Sequence, residues 1–290
     1  MSKVAILTDS NSGITQEESK QLGIFVEPMP FYIDGQLYYE DIDLTQEEFY
    51  EKLTKGGEIT TSMPITGNLM DNWDRILKDY DELVYIPMSS GLSSSCATAK
   101  MLSEDYDGRV VVVDNQRISV TQKLSALEAK KLADMGKSAK EICDALMAVK
   151  SESTIYITVD TLEYLKKGGR LTPAVAAIGS LLKIKPVLSI YGEKLDKYSM
   201  ARTMKAAKQT MIEALKKDMK DVLHTENFDD VMISVAHTQN QEAAEKFRDE
   251  LLQEFPVKNI WIDPLSLSVS CHIGPGALAC TITKKLVDIE

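Results

Sequence analysis

The feature that most constrains the fold is the alternation of short apolar runs with amphipathic stretches in the first half of the chain. VAIL (4–7), LVYIPM (83–88) and VVVVD (110–114) are each apolar enough to form strands covered on both faces. Stretches with apolar residues at helical spacing lie between and after these runs. Strands that alternate with helices favour an α/β layer built on a largely parallel sheet.

Three helix starts carry the same four-residue pattern, in which a hydroxyl residue is followed three positions later by glutamate. The pairs are Thr15 with Glu18, Thr45 with Glu48, and Ser138 with Glu141. Each side chain of such a pair can accept a hydrogen bond from the backbone N–H of the other residue. We therefore predict helices that begin directly after Thr15, Thr45 and Ser138.

The second half brings a new set of strand and helix signals. TIYITV (154–159), PVLSI (186–190) and VMISVAH (231–237) are predicted strands, and helices are predicted around 201–220 and from Asn240 to about Phe255. Because 290 residues can bury two separate cores, we predict two domains. An N-terminal α/β domain is expected over residues 1–150 and a C-terminal α/β domain over 151–290.

The composition indicates a soluble protein, with 44% hydrophobic and 27% charged residues. The first residues, MSKVAILTDSNSG, turn polar too early for a signal peptide. The most apolar stretch, 171–190, is interrupted by Pro173, Lys183, Lys185 and Pro186 and does not qualify as a membrane span. We expect a cytoplasmic protein with at most transient membrane contact.

The charge distribution limits the partners. A net charge of −11 argues against nucleic acid, because phosphate contacts need clustered lysine and arginine. Residues 166–208 are the exception, with ten basic residues against Glu193 and Asp196. The ten are Lys166, Lys167, Arg170, Lys183, Lys185, Lys194, Lys197, Arg202, Lys205 and Lys208. This stretch is either a solvated face or a surface that steers an acidic partner.

A hydroxyl-rich loop, SSGLSSSC (89–96), directly follows the predicted strand 83–88. It has no GxSxG nucleophile frame, and the chain contains no GxxxxGK[ST] or GxGxxG phosphate motif. The loop opens a helix but carries no lysine or arginine, so its neutral donors suit a carboxylate better than a phosphate. A second hydroxyl-rich turn, residues 60–64, could converge with it on one small anion.

Histidine and cysteine usage predicts no metal site. His224, His237 and His272 are scattered, and the four cysteines form no CxxC pair. His272 is the best placed of the three, since it follows Ser268 and Ser270 and precedes a Gly-Pro-Gly turn. A serine hydrolase that pairs Ser93 with His272 stays open as one alternative.

Several segments together resemble one known family. They are TDSNSGI (8–14), TSMP (61–64), SSGLSSS (89–95), LEYLKKGGRLTPAVAAIGSLLKIKPVLSI (162–190) and HIGPGALA (272–279). With these segments in this order, the chain resembles the DegV family of bacterial fatty-acid-binding proteins, which includes the acyl-carrying subunits of fatty acid kinase. The resemblance implies two α/β/α domains, with one long-chain fatty acid buried in a tunnel at the domain interface.

The resemblance also implies which residues hold the fatty acid. The carboxylate contacts of the family fall on Thr61 or Ser62 and on Ser93, with Ser94 and His272 as neighbouring candidates. No catalytic residue and no cofactor is implied, because the fatty acid is the ligand.

Two further features are implied by the same resemblance. The Gly274-Pro275-Gly276 turn resembles the family's loop beside the head group. Arg170 and Arg202 match arginines that contact the partner kinase in kinase-subunit members, and both lie in the basic stretch 166–208.

The expected function is therefore a carrier and not an enzyme. The protein would bind a long-chain fatty acid and present its carboxylate to the catalytic subunit of a fatty acid kinase, which would use ATP to form an acyl phosphate. The alternative from another class is a regulatory domain for a small polar ligand, related to the substrate domains of dihydroxyacetone-type kinases. A narrow apolar tunnel would favour the lipid, and a cleft lined by charged side chains would favour the polar ligand.

Overall fold

A computed structural model of the chain describes residues 2–177, 184–192 and 194–289. Lys183 and Glu193 of the basic stretch lie outside the described residues. The elements of the first half are β1 (Val4–Asp9), α1 (Gln16–Leu22), β2 (Phe25–Glu27), β3 (Pro30–Ile33), β4 (Gln36–Tyr39), α2 (Gln46–Thr54), β5 (Ile59–Thr61), α3 (Thr66–Ile76), β6 (Glu82–Ile86), α4 (Ser95–Ser103), β7 (Val110–Val112), α5 (Val120–Asp134) and α6 (Ala139–Ala148).

The second half continues the same numbering. Its elements are β8 (Ser153–Thr158), α7 (Glu163–Gly168), α8 (Pro173–Ala176), β9 (Lys185–Ile190), β10 (Asp196–Ala201), α9 (Met204–Asp221), β11 (Val231–His237), α10 (Gln241–Glu254), β12 (Trp261–Pro264), α11 (Leu267–Ile273) and β13 (Leu278–Lys284). Short 3-10 helices lie at Ser10–Ser12, Glu104–Tyr106 and Phe228–Asp230. Among the described residues, no helix is long and apolar enough to cross a membrane.

The three predicted helix starts are confirmed. Thr15, Thr45 and Ser138 are the N-caps of α1, α2 and α6, and each hydroxyl accepts a hydrogen bond from the backbone N–H of the glutamate three positions later. In all three cases the glutamate carboxylate accepts from the N-cap N–H in return. Two otherwise unpaired N–H groups are therefore satisfied at each start.

The N-terminal sheet is parallel throughout, as the apolar runs predict. Its strand order is β2-β1-β6-β7, and each neighbouring pair is parallel. Helices α5 and α6 pack on one face, and α3 and α4 pack on the other. This arrangement confirms the α/β/α layering of the first half.

The strand order reverses direction at β1. The chain moves from β1 to β2 on one side of the sheet and later returns to β6 on the other side. The loops that follow β1 and β6 therefore diverge and leave a crevice at the carboxyl ends of these strands. Crevices of this kind are the usual ligand sites of open α/β sheets.

The C-terminal sheet is mixed and has the order β10-β9-β8-β13-β11-β12. Only the β11–β12 pair is parallel, and the other pairs are antiparallel. One face is covered by α9 and α10, and Met211 and Met219 of α9 are buried in the core there. The opposite face packs partly against residues of the first half, including Met29, Met88 and Ile118.

A small antiparallel sheet of order β4-β3-β5 was not predicted from the sequence. Together with α2 it buries Phe31, Phe49 and Leu53 against Leu267 and Cys271 of α11. This contact ties the end of β5 to α11, and so brings the 60–64 turn to the 272–279 segment.

The two large sheets divide along the sequence between β7 and β8, but the chain crosses back at its end. Leu286 and Val287 pack among the apolar residues that cover the N-terminal sheet, and the Leu286 N–H donates to Glu128 on α5 at 2.6 Å. A domain boundary at residue 150 stays a prediction.

Candidate functional site

A cavity of about 390 Å³ lies between the crevice of the N-terminal sheet and the inner face of the C-terminal sheet. This volume is within the range of small-molecule sites in proteins. The wall is mostly apolar and draws on both halves of the chain. Its apolar members include Met29, Met88, Leu92, Ile118, Val120, Ile155, Ile157, Leu165, Ile190, Leu195, Ala236, Leu265, Ile273 and Ala279.

All five residues predicted to hold a carboxylate line this one cavity. Thr61 is the last residue of β5 and Ser62 follows it, while Ser93 and Ser94 directly precede α4. His272 lies in α11, close to the helix end. The fold thus gathers hydroxyl and imidazole groups from three distant segments at one place.

The hydrogen bonds of these groups leave donors for a ligand. Ser93 Oγ accepts from the Ser95 N–H at 3.2 Å, so its own proton remains free to be donated. Ser94 is the N-cap of α4 but makes no capping hydrogen bond with its side chain. Hydroxyl donors that are not used for capping suit an anionic oxygen.

His272 is fixed from two sides. Its Nε2 atom lies 2.9 Å from Thr61 Oγ1, and its ring packs so closely on Gly168 that an added Cβ there would lie 2.2 Å from Nδ1. Burial, and then the positive charge of Arg170, lower the pKa of His272 to about 4. The imidazole is therefore neutral near pH 7 and offers one N–H donor.

Arg170 also lines the cavity, which the sequence reasoning did not predict. Its guanidinium donates to the carbonyl of Gly168 and, from Nε, to the carbonyl of Leu92 at 3.4 Å. The hydroxyl-rich loop lacks a cation of its own, and Arg170 supplies one from the segment after α7. Docking to a partner through Arg170 stays a prediction.

Arg202 is placed differently. It follows β10 and is exposed to solvent. Two other members of the basic stretch are paired, because Lys185 contacts Asp160 at 2.5 Å and Lys208 contacts Glu250. Of the two predicted docking arginines, Arg170 is half-buried at the cavity and Arg202 lies on the surface.

The Gly274-Pro275-Gly276 turn supports the site from outside the described cavity wall. Gly274 and Gly276 have φ values of +74° and +85°, a region that favours glycine. A Cβ on Gly274 would lie 2.3 Å from the Tyr164 ring, and one on Gly276 would lie 2.3 Å from the Asp160 carboxylate. The turn therefore fixes the end of α11, and with it His272, against the segment around α7.

A second, more polar pocket of about 660 Å³ lies on the other side of the same residues. Thr61, Arg170 and His272 belong to both walls. The outer pocket is otherwise lined by residues 53, 54 and 56–60, by Cys271, and by Glu163, Tyr164, Lys167 and Gly168 of α7. Thr61, Arg170 and His272 therefore lie between the apolar cavity and the outer pocket.

The loop after β1 reaches the cavity through a residue other than Asp9, the last residue of the strand. Asp9 is fully buried, and its carboxylate accepts from the Met88 N–H at 2.8 Å and from Gln122 Nε2 at 3.0 Å. Burial raises the pKa of Asp9. Asn11 instead lines the cavity. Among the described residues, no cluster of histidine, cysteine and carboxylate side chains is suited to a metal ion.

The fold and the cavity define a class: an α/β protein with two large sheets and a largely apolar cavity between them. A family profile described as "Uncharacterised protein, DegV family" matches residues 3–285. The chain belongs to the DegV family. The resemblance seen in the sequence motifs is thereby confirmed.

Individual relatives match this chain in sequence along nearly its whole length. Protein DegV of Bacillus subtilis is 32% identical over 280 residues, which cover 95% of this chain and 97% of the relative. A DegV domain-containing protein of Staphylococcus aureus is 30% identical over 285 residues, covering 98% of this chain and all of the relative.

Solved structures resemble the fold closely. A DegV family protein from Thermus thermophilus, described by its fatty acid binding, has a TM-score of 0.88 and 26% identity, covering 97% of this chain and 99% of that one. DegV from Bacillus subtilis, described as a fatty acid binding protein, has a TM-score of 0.86 and 30% identity, covering 98% of this chain and all of that one.

Proposed function

We propose that this protein binds one long-chain fatty acid in the cavity between its two sheets. The observation that carries the proposal is the chemistry of the wall, which is apolar along most of the cavity and ends in hydroxyls, a neutral imidazole and one guanidinium. The two solved structures compared above are both described as fatty-acid-binding proteins, which supports the same ligand class.

The tail would supply most of the affinity. Each buried methylene contributes about 0.8 kcal/mol, so a sixteen-carbon chain would contribute about 10 kcal/mol before the cost of ordering it. The wall residues from both sheets would contact this tail. Fatty acid binding would therefore also stabilise the contact between the two halves of the chain.

The head group would be held at the polar end by Thr61, Ser62, Ser93, Ser94 and His272. Ser93 has a free hydroxyl proton, and Arg170 adds a charge-assisted hydrogen bond, which is stronger than a neutral one. A charged donor among neutral ones distinguishes an ionised carboxylate from the uncharged head group of an ester.

We further propose that the bound carboxylate is presented to the catalytic subunit of a fatty acid kinase. Support comes from the outer pocket, which shares Thr61, Arg170 and His272 with the cavity. The chain has no ATP-binding motif of its own. Exposed Arg202 would contact the acidic partner, and Arg170 would serve both the carboxylate and the docking surface.

One experiment tests the roles of Arg170 and Arg202 separately. Fatty acid affinity is measured by displacement of a fluorescent fatty acid, and acyl phosphate formation is measured with a fatty acid kinase catalytic subunit and ATP. Arg202→Ala should bind fatty acid like the wild type and lower the phosphorylation rate. Arg170→Ala should weaken binding by about tenfold or more, because it removes a charge-assisted hydrogen bond.

Two results would contradict the proposal. Absence of fatty acid binding by the wild-type protein would overturn the carrier function and favour a small polar ligand. Normal phosphorylation rates with both arginine variants would overturn the docking role alone. Arg248→Ala is a suitable control, because this arginine lies on α10 and pairs with its neighbour Asp249.

A further inference from the structure

A second polar feature lies on the cavity wall, apart from the head-group residues. It consists of Asn11 from the loop after β1, Ser119 at the start of α5, and Ser268 from α11, and all three line the cavity. Each is at least nine-tenths buried. We call these three residues the mid-cavity patch.

The three residues are joined by hydrogen bonds. The Ser119 N–H donates to the Asn11 carbonyl at 3.0 Å, and Ser268 Oγ donates to Asn11 Oδ1 at 2.5 Å. The Asn11 side-chain oxygen also accepts from Ser266 Oγ at 3.1 Å. The oxygen of Asn11 is thus fully used, whereas among the described residues the acceptor of its NH₂ group is the thioether of Met88, a weak acceptor, at 3.0 Å.

Ser119 is the residue that most needs an explanation. Its backbone has φ +56° and ψ −138°, which is costly for a residue with a side chain. It occupies the N-cap of α5, yet its side chain does not cap the helix. Within the described part of the chain, its hydroxyl has no hydrogen-bond partner. A hydroxyl without a protein partner on the wall of a cavity can donate to and accept from a group in that cavity.

The patch lies away from the carboxylate end. Ser268 precedes His272 by four residues on α11, about one helical turn or 5.4 Å. A fully extended polypeptide spans about 3.3–3.6 Å per residue of three bonds, which is about 1.2 Å per bond. An extended acyl chain advances by about the same distance per bond. Ser268 therefore faces roughly the fourth or fifth carbon of a bound acid. Ser119 is the N-cap of α5, a helix that contacts β11 and β13.

We propose that the mid-cavity patch is a subsite for an oxygen atom carried by the acyl chain, and that the protein accepts fatty acids with a hydroxyl or keto group near the fourth or fifth carbon. The inference rests on the proposed fatty acid binding and adds a ligand class to it. A hydroxyl on the chain would accept from Asn11 Nδ2 and exchange a hydrogen bond with Ser119 Oγ. A keto oxygen would accept from both.

The test compares octadecanoic acid with a series of mono-hydroxyoctadecanoic acids that differ only in the position of the hydroxyl. Without a subsite, every hydroxyl would be buried unpaired, and each hydroxy acid would bind about tenfold or more weakly than the parent. We expect one narrow range of positions to bind as tightly as the parent or more tightly. Uniformly weaker binding at all positions would overturn the inference.

A variant assigns the effect to the patch. Alanine has the same backbone strain as serine at this positive φ, so Ser119→Ala removes only the hydroxyl. It should weaken binding of the preferred hydroxy acid about five- to tenfold more than it weakens binding of octadecanoic acid. Ser151→Ala, in an exposed turn, is the matched control. Equal losses for both acids would overturn the subsite. Binding of the parent acid without this discrimination would leave the carrier function standing, whereas binding of neither acid would overturn both.

Discussion

His272 is held by two residues that are far from it in the sequence. Thr61 Oγ1 fixes the Nε2 edge of the ring at 2.9 Å, and Gly168 leaves just enough space for the Nδ1 edge. Because the ring is buried beside Arg170, its pKa falls to about 4. The ring is thus oriented and neutral before any ligand arrives.

This lowered pKa predicts a pH-dependent stability. The unfolded chain binds a proton at His272 below about pH 6.5, whereas the folded chain does so only below about pH 4. The free energy of unfolding should therefore fall by about 1–3 kcal/mol between pH 6.5 and pH 4 through this residue.

His272→Gln, which keeps a side-chain donor, should lack that part of the decline in urea titrations across the pH range. The comparison with the wild type is necessary, because the pKa of His237 is also lowered by burial. His224→Gln, at an exposed position, is the control. Identical pH profiles for wild type and His272→Gln would contradict the account.

A second prediction concerns Gly168. An alanine Cβ would overlap the His272 ring, so Gly168→Ala should destabilise the protein by about 1–3 kcal/mol. Displacement of the ring should also weaken fatty acid binding. Gly67→Ala is the control, since a Cβ on Gly67 of α3 meets no atom of the described residues within 4 Å. Thermal unfolding and ligand displacement should separate the two variants, and equal behaviour would contradict the packing argument.

Residue-scale contacts were the hardest to predict. The sequence motifs predict Thr61, Ser62, Ser93, Ser94 and His272 as head-group residues by family resemblance, and the fold brings all five to one cavity. The cavity positions of Arg170 and Ser119 depend on tertiary packing between distant segments, for which the sequence carries no local signal.

At the scale of elements, the helix starts and apolar strands were predictable because their signals are local. Strand VMISVAH was predicted with its observed bounds of 231–237. The small sheet of β3, β4 and β5 was missed, since its strands are only three or four residues long. Their pairing depends on contacts with α2 and α11, not on local sequence.

The capping box of α2 gives a prediction at this scale. Thr45→Ala removes the hydroxyl that accepts from the Glu48 N–H, and should lower the free energy of unfolding by about 1 kcal/mol. Thr66→Ala, at an exposed position without a capping role, should change it little. Urea denaturation of both variants measures the difference. A loss equal in both would show that the cap adds nothing to stability.

At the scale of the whole molecule, the cavity exists because two differently built sheets meet. The switch point between β1 and β6 opens a crevice in the parallel sheet, and the mixed sheet covers it with the inner face that carries Ile157, Ala236 and Ala279. The α/β class and the interface location were both predictable, since they follow from strand order and from the family resemblance. The shape of the cavity was not, because residues from both halves form it.

In the proposed function, the space between the two large sheets is a fatty acid site. The most direct test is mass spectrometry of an organic extract from the purified, denatured protein. We predict about one equivalent of long-chain fatty acid per chain, with any hydroxylated acids visible in the same spectrum. No lipid in the extract, together with no uptake of added fatty acid by the folded protein, would contradict the account.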